Sequence, residues 1–275
     1  MIVVIKSSIA VALTRAASQA RVHTASEYAA ASSGRIRWNS PDSELVYGSM
    51  FKNTNRSRVQ RLNVKWASKA PAFVQAVNQS SSPLRDIYQF GVYTGGSMRS
   101  IKHQIPIFHH MWGFDSFQGL PAEAGGLKIA GKHWLPGAFS SSDELGSTVE
   151  KTVASVSEYV GDPDRVSFIA GFFNESLPKL NLSLFRPALL VDFDVDLYIS
   201  TLDSMTWMVE NKLIQAGTYV RYDDWKGDPA WGQTKADDEV TKRFKIVWDT
   251  TNAPFEGRHG KGALRRVVSV GGIAA

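Results

Sequence analysis

Cysteine is absent from the 275 residues, which excludes disulfides, thiolate metal sites and a cysteine nucleophile. That absence fits a reducing compartment such as the cytoplasm. A strong charge of one sign is also missing. Lys plus Arg is 31 and Asp plus Glu is 26, leaving +5, and Lys6, Arg15 and Arg21 all precede the first acid, Glu27. The remainder is near balance, so no nucleic-acid footprint is indicated. The apolar stretch 1–13 is too short to span a bilayer and is broken by Lys6. A secretion signal places its positive charge before the apolar core, not inside it. The stretch therefore reads as an extension that frays or docks, with no membrane partner. The nucleotide-loop pattern Gly-Lys-Ser/Thr does not occur.

What is present suits one large domain. The chain is 43% hydrophobic and 21% charged, enough to bury a full core without a disordered majority. Residues 1–55, rich in Ala and Ser, read as an N-terminal extension or lid, and 56–275 as the main domain. Strand patterns fall at 86–91, 110–114, 165–170, 188–193, 218–222, 245–248 and 263–270. Helical patterns fall at 71–77, 95–104, 143–160, 200–213 and 235–244, with Leu145, Val149, Val153, Val156 and Val160 on one side of the third. Alternation of this kind implies an α/β, doubly wound parallel sheet covered on both faces.

The fourth strand begins as an apolar run and ends in Asp192, Asp194 and Asp196, spaced two apart. Residues two apart share a side of a strand while it persists. Carboxylates packed at the end of a core strand are costly unless something cationic meets them. The next strand ends in Asp223 and Asp224. Two adjacent parallel strands ending in carboxylates make an oxygen-lined cation site. Oxygen ligands without Cys or clustered His suit Mg²⁺, Mn²⁺ or Ca²⁺. If Asp194 and Asp223 meet, Asp192 and Arg221, two residues back, also lie side by side, and a buried ion pair would explain both. His103, His109 and His110 lack metal-pair spacing and read as structural.

The first strand opens into Gly91-Val92-Tyr93-Thr94-Gly95-Gly96-Ser97 and a helix. Such a turn lays backbone N–H groups against a ligand's polar tail, although it lacks the Gly-x-Gly-x-x-Gly dinucleotide pattern. The second strand ends in Phe114-Asp115-Ser116-Phe117-Gln118-Gly119-Leu120-Pro121. An acid there can hold ribose hydroxyls.

These two motifs, with Asp194-Val195-Asp196-Leu197-Tyr198-Ile199-Ser200-Thr201 and Asp223-Asp224 in that order, resemble the S-adenosylmethionine-dependent macrocin O-methyltransferase family of macrolide-sugar and aminocoumarin pathways. The likeness runs from about residue 86 to 225. It implies a class I methyltransferase sheet of seven strands, the last antiparallel. It also implies that Gly91, Tyr93, Gly95 and Ser97 surround the donor's methionine part. Asp115 would lie at the ribose with Ser116 and Phe117 beside it, and Gly171 and Phe172 near the adenine. The metal ligands implied are Asp194, Asp223 and Asp224. Three positions depart from the family pattern: Gln89 stands for a Glu, Val195 for a Gly, and Arg221 for an apolar residue.

The function expected is S-adenosylmethionine-dependent, divalent-metal-assisted O-methyl transfer to a hydroxyl of a sugar or related small natural product. Asp194 and Asp196 are the catalytic candidates, Asp196 or Asp194 serving as general base, with His259 a remoter choice. A catechol or phenol acceptor and a non-catalytic methyltransferase-like scaffold are the alternatives. Enzymes of this kind often self-associate, and the sequence leaves oligomeric state open.

Overall fold

The computed structural model describes residues 71–124, 134–225, 227, 230, 232–249 and 263–271, together with the backbone of 3–6. The seven expected strands are β2 Asp86–Phe90, β3 Met111–Asp115, β4 Val166–Ala170, β5 Ala188–Phe193, β6 Tyr219–Tyr222, β7 Ile246–Trp248 and β8 Ala263–Val270. An additional strand, β1 Val3–Lys6, pairs antiparallel with β4 at the sheet edge. The sheet order is β1-β4-β3-β2-β5-β6-β8-β7, and β8 runs antiparallel to both its neighbours. Five strands, β2 to β6, run parallel, and chain order reverses between β2 and β5. Ligands of such sheets lie beyond the carboxyl ends of the strands at that reversal.

The helices are α1 Pro71–Gln79, α2 Gly96–Gln104, α3 Ser141–Glu144, α4 Val149–Val160, α5 Phe173–Ser176, α6 Tyr198–Glu210 and α7 Gly232–Phe244. Pro71 occupies the first position of α1, where its missing N–H costs nothing. The helix expected over 143–160 is two helices. Gly146 takes a positive φ, and Thr148 starts α4 by accepting the Lys151 N–H on its hydroxyl. Apolar periodicity ran through this break because Leu145 and Val149 are four apart. The helix expected over 200–213 begins earlier, at Tyr198, and ends at Glu210. No described helix is long and apolar enough to cross a membrane.

Strand alternation divides the core in two. Tyr88, Phe90, Phe114, Val191, Phe193, Val220 and Tyr222 pack with Met205 and Met208 of α6 and Val240 and Phe244 of α7. Ile87, Met111, Phe168, Leu190 and Tyr219 pack with Val77 of α1, Met98 and Ile101 of α2, and Val153 and Val156 of α4. On the first face, Phe114, Phe90, Phe193 and Tyr222 are register partners across β3, β2, β5 and β6. Their rings stack at 4.6, 5.4 and 5.3 Å between centroids. Each ring is followed immediately by Asp115, Gly91, Asp194 or Asp223. A rigid aromatic row thus fixes where four site residues leave the sheet.

Candidate active site

The donor and metal candidates picked out from sequence lie at the carboxyl edge of β2 to β6. Gly91 lies at the chain reversal, with φ +84°, and a Cβ there would fall 1.9 Å from the Asp194 carbonyl oxygen. Only glycine lets the first turn approach the fourth parallel strand this closely. Gly95, with φ +81°, ends that turn just before α2; a Cβ would meet Val160 of α4 at 2.7 Å. Tyr93, Phe117 and Asp196 each have positive φ, at 52°, 56° and 58°. Non-glycine residues in this region are sparsely populated and gather where geometry is over-determined.

Asp115 ties the first two turns together. Its Oδ2 accepts the Val92 and Tyr93 N–H groups at 2.8 and 2.7 Å, and its Oδ1 accepts Phe117 N–H at 2.6 Å. Burial raises its pKa while those N–H groups oppose the rise. Much of the capacity expected for ribose hydroxyls is therefore spent within the protein, although a carboxylate offers about four acceptor positions. Ser116 donates to the Gly119 carbonyl at 2.7 Å, closing its own loop. Gln89 is wholly buried on the same edge and donates to the Gly91 carbonyl at 2.9 Å and to Ser97 Oγ at 2.5 Å. Its Oε1 has no hydrogen-bond partner among the described residues. Gly171 follows β4, its N–H donating to the Asp115 carbonyl at 2.9 Å, and Phe172 caps α5.

Asp194, Asp223 and Asp224 bring carboxylate oxygens within 4.8 Å of one another. β5 stops at Phe193, and backbone bonds from Asp194 N–H to Phe90 and from Asp223 N–H to Phe193 fix both exits. Burial, then the neighbouring Asp223, pushes the Asp194 pKa well up. Asp224 is pushed up to about 8 by burial and by Asp196 and Asp223. Asp194 and Asp224, held toward the neutral form by burial and by neighbouring acids, are oxygens that a divalent cation would stabilise.

Asp196 does not continue the strand alternation: its positive φ turns the chain toward α6. It accepts the Trp134 indole N–H at 2.7 Å and is hydrogen-bonded to Asp224. Asp192 remains on the strand, fully buried, and pairs with Arg221 as expected: Arg221 Nη1 donates to Asp192 Oδ1. The second guanidinium nitrogen, Nη2, donates to Asp223 Oδ1.

Glu123 and Trp134 were not singled out from sequence. Glu123 accepts the first N–H groups of α6, Tyr198 at 2.9 Å and Ile199 at 3.0 Å. A carboxylate there satisfies orphan donors and complements the helix dipole. No local signal marks a cap supplied from 75 residues away. His109 and His110 belong to a network around buried Asp86 at the opposite end of β2, where Nδ1 of His109 lies 2.8 Å from Asp86. His259 and most of 1–55 lie outside the described residues.

A search of curated protein sequences finds no match. The O-methyltransferase NovP superposes with a TM-score of 0.50 at 24% identity, over 76% of this chain and 78% of its own. CalS11, a calicheamicin methyltransferase, gives 0.49 at 18%, over 83% and 99%. The strand order and the antiparallel β8 are those of a class I methyltransferase. The family model Macrocin-O-methyltransferase (TylF) matches residues 15–251. The chain belongs to this family of O-methyltransferases.

Proposed function

We propose that the protein transfers a methyl group from S-adenosylmethionine to a hydroxyl of a sugar or related natural product, with a divalent cation held by Asp194, Asp223 and Asp224. The observation that carries the reading is the convergence of those three carboxylates beside the Gly91 turn. The donor set fits Mg²⁺ or a similar hard cation, being all oxygen. When bound, such a cation supplies a Lewis acid that orients an acceptor hydroxyl and lowers its pKa.

The chain's own residues do the rest. The turn from Gly91 to Ser97 presents backbone to the methionine part, Asp115 with Ser116 and Phe117 faces the ribose, and Gly171 and Phe172 border the adenine. Asp196 takes the hydroxyl proton. The Trp134 indole N–H holds its carboxylate in place. The aromatic row beneath keeps β2 and β5 in register, aligning donor and acceptor for in-line displacement. Family membership supports a sugar-bearing acceptor.

Asp194→Ala tests the reading. Turnover that depends on added Mg²⁺ in the wild type should be lost, while S-adenosylmethionine binding measured by calorimetry remains. Full turnover in the variant would reject the assignment. The domain limits proposed, an extension over 1–55 and a catalytic unit over 56–275, would be tested by deleting the extension and measuring donor affinity, which should survive.

A further inference from the structure

Arg221 is an anomaly that the reaction just described does not use. It lies on β6, whose four residues are all buried, two positions before Asp223, so both side chains leave the same side of the strand end. A guanidinium is satisfied most simply by a two-pronged bond to one carboxylate. Arg221 divides its prongs instead: Nη1 goes to Asp192 and Nη2 to Asp223. The division leaves Asp192 Oδ2, wholly buried, with no hydrogen-bond partner among the described residues. A buried carboxylate oxygen left bare is costly. That arrangement is worth its cost only if the second contact matters. The second contact is to a residue of the carboxylate triad, and it occupies Oδ1 of Asp223.

We propose that Arg221 is a positioning residue for the cation site, clamping Asp223 through Oδ1 so that Oδ2 faces the ion, while Asp192 anchors the guanidinium from behind. The inference rests on the reading that Asp194, Asp223 and Asp224 hold a cation. Partners behind metal ligands orient them, and their loss typically costs ten- to a hundredfold in metal affinity. Arg221 also places a fixed positive charge against Asp192, Asp223 and Asp194, easing the assembly of these three neighbouring acids. Lysine could not replace it, since a single ammonium lacks the planar fork that reaches two carboxylates at once.

The test is Mn²⁺ binding to the full chain by titration calorimetry, without donor or acceptor, alongside thermal melting. Asp192→Leu with Arg221→Leu removes both charges together, so Asp192 is not left as an unpaired buried ion and the melting temperature should stay near that of wild type. Its Mn²⁺ affinity should fall about ten- to a hundredfold. Equal or tighter binding in the double variant, with Mn²⁺ bound by the wild type, would overturn the positioning role and leave the cation site standing. No Mn²⁺ uptake by the wild type would overturn the cation site and this role with it. Should the double variant fail to fold, Arg221→Lys serves the same comparison: weaker binding is expected, and wild-type affinity overturns the clamp.

Discussion

Asp224 carries the clearest consequence of single-residue electrostatics. An unfolded aspartate titrates near 3.9, whereas Asp224 in the folded, ion-free protein is pushed up to about 8 by burial, Asp196 and Asp223. Between those values the folded state keeps a proton that the unfolded chain has released. Stability from this group is therefore greatest in acid and is lost as pH rises through about 8. Asp194 shifts in the same direction. In chelator, the wild-type melting temperature should fall as pH rises from about 5 to about 8, and Asp224→Asn should flatten the slope; parallel slopes would contradict the assignment. The same raised values mean that a cation must expel a proton to bind, so affinity should strengthen with pH over that window. Which residues would meet here was partly legible from sequence. Asp192 and Arg221 follow from period-two alternation and the register of neighbouring strands. Trp134 and Glu123 do not: their partners lie 62 and 75 residues away, and nothing local in a Gly/Pro-rich loop announces which polar group it will meet.

At the scale of the element, the aromatic row under the site does the positioning. Phe193 stacks on both Phe90 and Tyr222 and lies between Asp192 and Asp194 in the chain. Phe193→Ala should cost about 3–5 kcal/mol in urea unfolding, as other large-to-small core changes do. It should also weaken Mn²⁺ binding, because Asp194 leaves the sheet one residue later. A variant that loses stability yet binds Mn²⁺ like wild type would separate the row from the site. Helix limits show where pattern reading stops. Leu145 to Val160 is apolar at helical spacing, but Gly146 and the Thr148 cap divide it. Thr148 competes for backbone bonds that spacing alone does not see. The start of α6 moved for a related reason. Glu123 caps it from another loop, so the chain could enter the helix at Tyr198 without a capping residue of its own.

Over the whole molecule, the sheet was the most legible feature. Buried parallel strands write themselves as apolar runs, and all seven were found with limits shifted by a residue or so. β1 escaped because four residues at a chain end, Val3–Lys6, look the same whether they pair or fray. The site followed from the sheet: once five parallel strands are ordered, every loop after a carboxyl end converges on one edge. Two of the three departures from the family pattern, Gln89 on β2 and Arg221 on β6, flank β5 with Asp192 between them in register. They form one polar row running from the glycine turn to the acid triad. The most direct measurement of the central claim is anomalous diffraction at the manganese edge from crystals grown with Mn²⁺ and S-adenosylhomocysteine. A peak is expected between Asp194, Asp223 and Asp224, on the side of the sheet edge facing Gly91. No peak there, or a peak bound by other residues, would contradict it.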